Sequence, residues 1–282
     1  MNFAKLQGTG NDFVLVEAGE KRRDWPELAK AICQRHLGIG ADGLLLLLSS
    51  EKADLGMRVF NPDGSEAEAC GNGLRCLVRY ALEKELASAQ AAEISIETMA
   101  GIRKARLQGR AIRVAMGEPR FSAKEIPVTL EAKVAEPILD YPLTVDGSTL
   151  KLSFVAMGNP HAVCFIEQSL ADFPLAQLGP KVENHPVFPQ RTNFEVARVI
   201  SSKLIEARVL ERGVGETLAC GSGACAVAVL ARLKGYTDGQ VDIKLPGGTL
   251  GVEWDGKGEV ALSGPAEIVF IGEWPDETIA TH

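Results

Sequence analysis

Apolar residues recur along this chain mostly in short runs parted by Gly, Asp and Asn, a rhythm that favours strands joined by turns. The pattern predicts strands over residues 13–17, 44–48, 57–61, 93–97, 112–116, 150–154, 162–166, 194–200, 204–210, 241–245, 250–254 and 268–272, and residues 1–6 already read as extended chain. Helices are fewer. Residues 25–34 follow Asp24, a good N-cap, with Pro26 in the first turn. Residues 72–86 place Leu74, Leu77, Val78, Ala81, Leu82 and Leu86 at helical spacing. Residues 222–234 are apolar almost all round and stop at Gly235, so this helix is expected to be buried on every side.

An internal echo organises these elements. Ala69-Cys70-Gly71-Asn72-Gly73-Leu74-Arg75-Cys76 recurs as Ala219-Cys220-Gly221-Ser222-Gly223-Ala224-Cys225-Ala226. Each copy opens an apolar helix and follows a strand and a short acidic turn, Asp63-Gly64-Ser65-Glu66 or Gly213-Val214-Gly215-Glu216. The repetition predicts two homologous halves that face each other about a pseudo-two-fold. Their seam is expected near residues 116–118, where Gly117 and Pro119 punctuate the chain.

Composition narrows the function. With 282 residues, 46% hydrophobic and 24% charged, the chain suits a globular protein of one large or two ordinary domains. A net charge of -7 argues against nucleic acid or an anionic membrane as partner. The densest basic run, Lys21-Arg22-Arg23, is flanked by Glu20 and Asp24 and reads as a solvated loop. No apolar run approaches the roughly 20 residues of a spanning helix, and the start lacks a signal-peptide pattern, so a cytoplasmic protein is expected. Six cysteines in such a compartment are core residues, metal ligands or nucleophiles rather than a disulfide framework.

Cys-Gly-X-Gly at a helix start supplies chemistry. The first N–H groups of a helix lack internal partners, and with the macrodipole they form an anion site suited to a carboxylate. A cysteine beside that site has its thiolate stabilised. Two facing copies would hold one carboxylate with a sulfur on either side, which is what inversion at a Cα requires. One thiolate removes a proton and the opposite thiol delivers another, while the helix starts stabilise the enolate-like charge. Cys70 and Cys220 are therefore expected to share one proton as a coupled pair. No lysine sits beside a persuasive phosphate loop, so no pyridoxal cofactor is expected. The spacings Cys-x5-Cys and Cys-x4-Cys, with each second cysteine inside an apolar helix, do not suit a zinc site, and no metal is expected. Cys33, Cys76, Cys164 and Cys225 read as inert core thiols.

At these residues the chain closely resembles the diaminopimelate epimerase family, within the superfamily that also holds proline racemase. The likeness includes Lys5-Leu6-Gln7-Gly8-Thr9-Gly10-Asn11-Asp12-Phe13, Gly38-Ile39-Gly40-Ala41-Asp42-Gly43 and Phe60-Asn61-Pro62-Asp63-Gly64-Ser65. It continues through Met157-Gly158-Asn159-Pro160-His161, Arg191-Thr192-Asn193-Phe194 and Glu211-Arg212-Gly213-Val214-Gly215-Glu216-Thr217. The resemblance implies an α/β (α+β) fold of two pseudo-symmetric halves, each an antiparallel barrel-like sheet around a central helix. It places one half at 1–117 with a return strand in 264–282, the other at 118–263, and the active site in the cleft between them. It further implies a homodimer converting LL-2,6-diaminopimelate to the meso form, for lysine and cell-wall synthesis. By position, Cys70 and Cys220 are then the acid–base pair. The backbone of Gly71, Asn72, Gly221 and Ser222 holds the reacting carboxylate, and Glu211 takes the ammonium with the Arg212 carbonyl. Asn61, Asn159, Asn193 and Arg212 hold the distal amino-acid end, and Asn11 lies nearby. A zwitterion at each end of the substrate suits such a set of guanidinium, carboxylate and amides. Gly43 departs from members that carry a substrate-touching glutamine there.

Three other functions compete. A proline or hydroxyproline racemase would leave Arg212 and the amides without a distal zwitterion to hold. A Cys–His hydrolase using His161 explains neither the duplicated motif nor the second cysteine; the residue reads equally well as shaping the pocket. A non-catalytic small-molecule-binding protein would need neither thiol. Glu211-Arg212 could be a surface ion pair, but its place before the second cysteine motif favours ligand binding. Lone asparagines at turns usually form the turn, so the roles of Asn11, Asn61, Asn159 and Asn193 rest mainly on the resemblance.

Overall fold

The computed structural model describes residues 1–19, 23–67, 70–131 and 134–275. Lys21 and Arg22 of the basic run, Ala69 of the first cysteine motif and residues 276–282 of the expected return strand lie outside these. The chain divides into two compact units, Met1–Ala115 with the segment from Ser263 on, and Met116–Leu262.

The first unit runs β1 (Asn2–Gly8), β2 (Asn11–Glu17), α1 (Trp25–Ile32), β3 (Gly43–Leu48), β4 (Leu55–Phe60), β5 (Glu66–Ala67), α2 (Gly71–Glu83), β6 (Ile94–Thr98), β7 (Gly101–Gln108) and β8 (Ala111–Gly117). A last strand, β18 (Glu267–Glu273), comes from the far end of the chain. β1 lies between β18 and β2, antiparallel to both. β2 runs parallel to β3, β3 antiparallel to β4, and β4 parallel to β6. β6, β7 and β8 continue antiparallel. α2 touches β1, β2, β3, β4, β7 and β18, strands from across the sheet, so the sheet wraps around it. α1 starts at Asp24, whose side chain accepts from Glu27 N, and it covers β3 and β4. Residues 13–16 and 44–47 are accordingly buried without alternation, as strands covered on both faces are.

The second unit runs β9 (Tyr141–Val145), β10 (Ser148–Ala156), β11 (Pro160–Phe165), α3 (Leu175–Glu183), β12 (Asn193–Ser201), β13 (Leu204–Glu211), β14 (Gly215–Thr217), α4 (Gly221–Leu233), β15 (Gln240–Leu245), β16 (Gly248–Glu253) and β17 (Val260–Gly264). Its pairings repeat those of the first unit. β9, β10 and β11 are antiparallel, β11 is parallel to β12, β12 antiparallel to β13, and β13 parallel to β15. Each sheet is thus mainly antiparallel with two parallel steps in the same places. α4 is buried on all sides among β10–β13, β15 and β16, as its apolar sequence demands. α3 was not legible in the pattern because Gly179 and Pro180 interrupt it. The helix forms because Leu175 and Val182 are buried and a Cβ at Gly179 would lie 2.5 Å from Leu210 Cδ1, a contact only glycine allows.

The registers equate positions one by one. Phe13 faces Gly43 as His161 faces Asn193, and Leu45 faces Val59 as Glu195 faces Val209. Val59 faces Ala67 as Val209 faces Thr217. Counting along the strands matches Asn11 with Asn159, Asn61 with Glu211, and Cys70 with Cys220. An ion pair is repeated as well: Arg58 Nε to Glu66 Oε1 at 2.6 Å, and Arg208 Nε to Glu216 Oε1 at 2.8 Å.

Candidate active site

Cys70 and Cys220 are the N-caps of α2 and α4. Both are extended, at φ -139°, ψ 115° and φ -123°, ψ 119°. Each sulfur accepts from the N–H of the third helical residue, Gly73 or Gly223, at 3.4 Å. A thiol thus stands where Ser, Thr, Asp or Asn usually caps a helix. The positive end of the helix dipole lies beside it. Cys70 is half-buried and Cys220 buried. Burial pushes the thiols of the core cysteines Cys33 and Cys76 up to about 12 and that of Cys164 to about 11.

In the second unit the sequence-expected residues fall into small hydrogen-bonded groups. Burial above all, and then the charge of Glu211, pushes the Cys220 thiol well above its ordinary value. The Ser222 hydroxyl, 3.4 Å from Cys220 Sγ, and the Gly223 N–H pull it back. Burial also raises the Glu211 carboxyl, against the Thr217 hydroxyl donating to it at 2.6 Å, the Cys220 thiol and the charge of His161. His161 is fully buried, with Nδ1 2.7 Å from Glu195 Oε1 and Nε2 2.9 Å from Asn159 Oδ1. Asn193 Oδ1 accepts from Arg212 N at 2.7 Å, while its Nδ2 is buried with no hydrogen-bond partner among the described residues. Arg212 Nη1 donates to Gln190 O at 2.9 Å. Glu183 Oε1 holds the same turn by accepting from Gly213 N at 2.9 Å and from Arg191 Nη1 at 3.3 Å.

In the first unit Asn72 Nδ2 donates to Asn11 Oδ1 at 3.1 Å, and Asn11 Nδ2 donates to Asp42 Oδ2 at 2.8 Å. Arg35 bridges Asp42 and Asp12, and Lys5 adds a second cation to Asp12. Burial opposes the Asp12 charge, but Arg35 and Lys5 outweigh it and draw its carboxyl down to about 2. Asn61 is exposed and donates to Ser65 Oγ at 2.9 Å, a turn contact apart from the Asn11–Asn72 pair. A Cβ at Gly43 would meet Phe60 O at 3.0 Å.

Sequence reasoning did not single out Glu195, Thr217, Asp42 or Glu183. Glu195 carried the clearest signal, an acid inside the apolar run Phe194–Val196 of a strand covered on both faces. The other three act through hydrogen bonds to partners distant in sequence or across a turn.

The sequence model of one family, diaminopimelate epimerase, matches residues 3–122 and 153–269. The diaminopimelate epimerase of Pelotomaculum thermopropionicum is 46% identical over 286 residues, covering 99% of this chain and 100% of its own length. That of Moorella thermoacetica is 47% identical over 283 residues, covering 98% and 99%. Among solved structures, a probable proline racemase from Agrobacterium radiobacter K84 superposes with a TM-score of 0.72 at 15% identity, over 98% of this chain and 93% of its own. A hydroxyproline epimerase from Agrobacterium vitis gives 0.71 at 15% identity, over 96% and 91%. At that identity these two share the fold. With both cysteine motifs inside the matched segments and relatives alike over nearly the whole length, the chain belongs to the diaminopimelate epimerase family.

Proposed function

We propose that this protein is an isomerase that inverts one Cα of LL-2,6-diaminopimelate to give the meso form, with Cys70 and Cys220 as acid and base. The observation that carries the reading is the matched pair of thiol N-caps in a chain of this family. One thiolate takes the Cα proton and becomes a thiol. The other thiol gives its proton to the opposite face and becomes a thiolate. The proton balance closes with two sulfurs and calls for no electron-sink cofactor. Charge on the carbanion spreads to the carboxylate, which the helix-start N–H groups of Gly71, Asn72, Gly221 and Ser222 stabilise. Burial and the charge of Glu211 favour the neutral form of Cys220. Glu211 takes the ammonium of the reacting centre. Arg212 and the unpartnered Asn193 Nδ2 suit the distal carboxylate, with Asn11, Asn61 and Asn159 completing the set. The product serves lysine and peptidoglycan-precursor synthesis.

The same reading makes the protein a cytoplasmic homodimer. Val269, Phe270 and Ile271 of β18 are exposed apolar residues that a second copy would cover. No helix among the described residues is long and apolar enough to cross a membrane. Chiral chromatography after incubation with LL-diaminopimelate, L-proline or trans-4-hydroxy-L-proline tests the reaction. Meso-diaminopimelate alone is the expected product. Turnover of either proline instead would overturn the substrate, and turnover of none would overturn the enzyme.

A further inference from the structure

The hairpin of β13 and β14 carries two side-chain links, one on each face. Val209 lies opposite Thr217, Leu210 opposite Glu216 and Glu211 opposite Gly215. Side chains alternate along a strand, so Arg208 and Leu210 share one face and Val209 and Glu211 the other. On the first face Arg208 grips Glu216 with two prongs, Nε to Oε1 at 2.8 Å and Nη2 to Oε2 at 3.0 Å. On the second face Thr217 Oγ1 donates to Glu211 Oε1 at 2.6 Å. Thr217 and Glu211 are diagonal neighbours, within the reach of side chains in an antiparallel pair. Gly215, directly opposite Glu211, has no side chain to compete for the carboxylate.

The first unit repeats only one of these links. Its Arg58 and Glu66 form the same ion pair. Ala67 stands at the place of Thr217, however, and Asn61 at that of Glu211. Asn61 donates instead to Ser65 within its own turn. The fold thus builds this hairpin without a hydroxyl or an acid on the second face. The two arrive together in the second unit, and they serve something other than the hairpin.

The placement of Thr217 indicates what. It lies three residues before Cys220, so one short segment carries both the donor and the thiol. Its branched Cβ leaves the side chain few rotamers, which presets the direction of the hydroxyl. A donor on one oxygen stops the carboxylate from turning about its last bond. The same hydrogen bond favours the ionised carboxylate, against burial, which opposes it.

We propose that Thr217 is a positioning residue for the reaction: its hydroxyl fixes the Glu211 carboxylate in the orientation that takes the ammonium of the reacting centre. This rests on the epimerase reading and deepens it.

Steady-state kinetics of Thr217 variants test it. Thr217→Val keeps the shape and removes the donor. It is expected to raise KM for LL-diaminopimelate about tenfold, the scale of one hydrogen bond to a charged group. The ammonium carries its charge in ground and transition states alike, so kcat should stay within about twofold of wild type. Thr217→Ala copies Ala67 of the first unit and should match valine. Thr217→Ser keeps the hydroxyl and should restore KM to within about threefold of wild type. In a Glu211→Ala background Thr217→Val should lower kcat/KM no further, because the partner of the hydroxyl is already gone. A wild-type KM in either donor-free variant overturns the inference. So does a loss that serine fails to rescue, or one that persists in full without Glu211. Those outcomes, read beside an active wild type, strike the inference alone. A wild type that turns over no diaminopimelate overturns the epimerase reading and the inference with it.

Discussion

A sulfur accepts hydrogen bonds more weakly than the oxygens that usually cap helices, so cysteine is a poor choice of N-cap for stability. Its presence at both Cys70 and Cys220 points to reactivity, while Cys33, Cys76 and Cys164 are buried and N-cap no helix. Glu211 sits in the same kind of trade. Burial raises its carboxyl, so the folded protein binds that proton more tightly than the unfolded chain does. Stability tied to this group is complete below the ordinary carboxylate range and falls as pH rises through the folded value. Glu211→Gln removes that loss. At pH 7.5 the variant is expected to melt about 2 °C above wild type, and level with it near pH 4. Its kcat/KM should fall roughly a hundredfold, the scale of one buried hydrogen bond to a charged group. Scanning fluorimetry at the two pH values and steady-state rates check this. A variant destabilised equally at both would contradict it.

At the scale of elements, the two Cys-Gly-X-Gly turns look alike but rest on different floors. A Cβ at Gly73 would meet Leu45 Cδ2 at 3.0 Å, the end of a flexible side chain, whereas one at Gly223 would meet the Glu195 carboxylate at 2.8 Å. Gly223→Ala is therefore expected to cost about 2 kcal/mol by urea unfolding and more than tenfold in kcat, Gly73→Ala less on both counts. Equal losses would contradict this reading of the glycines. Helices α1, α2 and α4 were legible because their caps and periodicity agree, to within a few residues at their ends. α3 was hidden by Gly179 and Pro180, and β7 by a polar surface in which Ala105 is the one fully buried side chain. The cysteines were legible because glycine-rich helix starts carry a local signature. His161 was legible as a pocket residue, but its pairing with Glu195 was not, because the spacing along β11 and β12 does not show which of their side chains meet.

The duplication of the whole molecule was visible in one octapeptide echo. It extends to every strand pairing from β1 to β7 and to the repeated Arg58–Glu66 and Arg208–Glu216 ion pairs. Residue spacing alone could not show that β18 pairs with β1, since the two lie at opposite ends of the chain. That strand also carries the exposed Val269, Phe270 and Ile271. Wild type is expected to sediment as a dimer and Ile271→Glu as a folded monomer; a monomeric wild type would contradict the assembly. The central claim, that matched halves supply one thiol each to a single inversion, is tested most directly in D2O. Reduced wild type, Cys70→Ala and Cys220→Ala are incubated with LL-diaminopimelate, and product is read by chiral separation and mass spectrometry. The account predicts meso product with solvent deuterium at the inverted Cα from wild type, and none from either variant. Product without deuterium, or turnover that survives the loss of either sulfur, would contradict it.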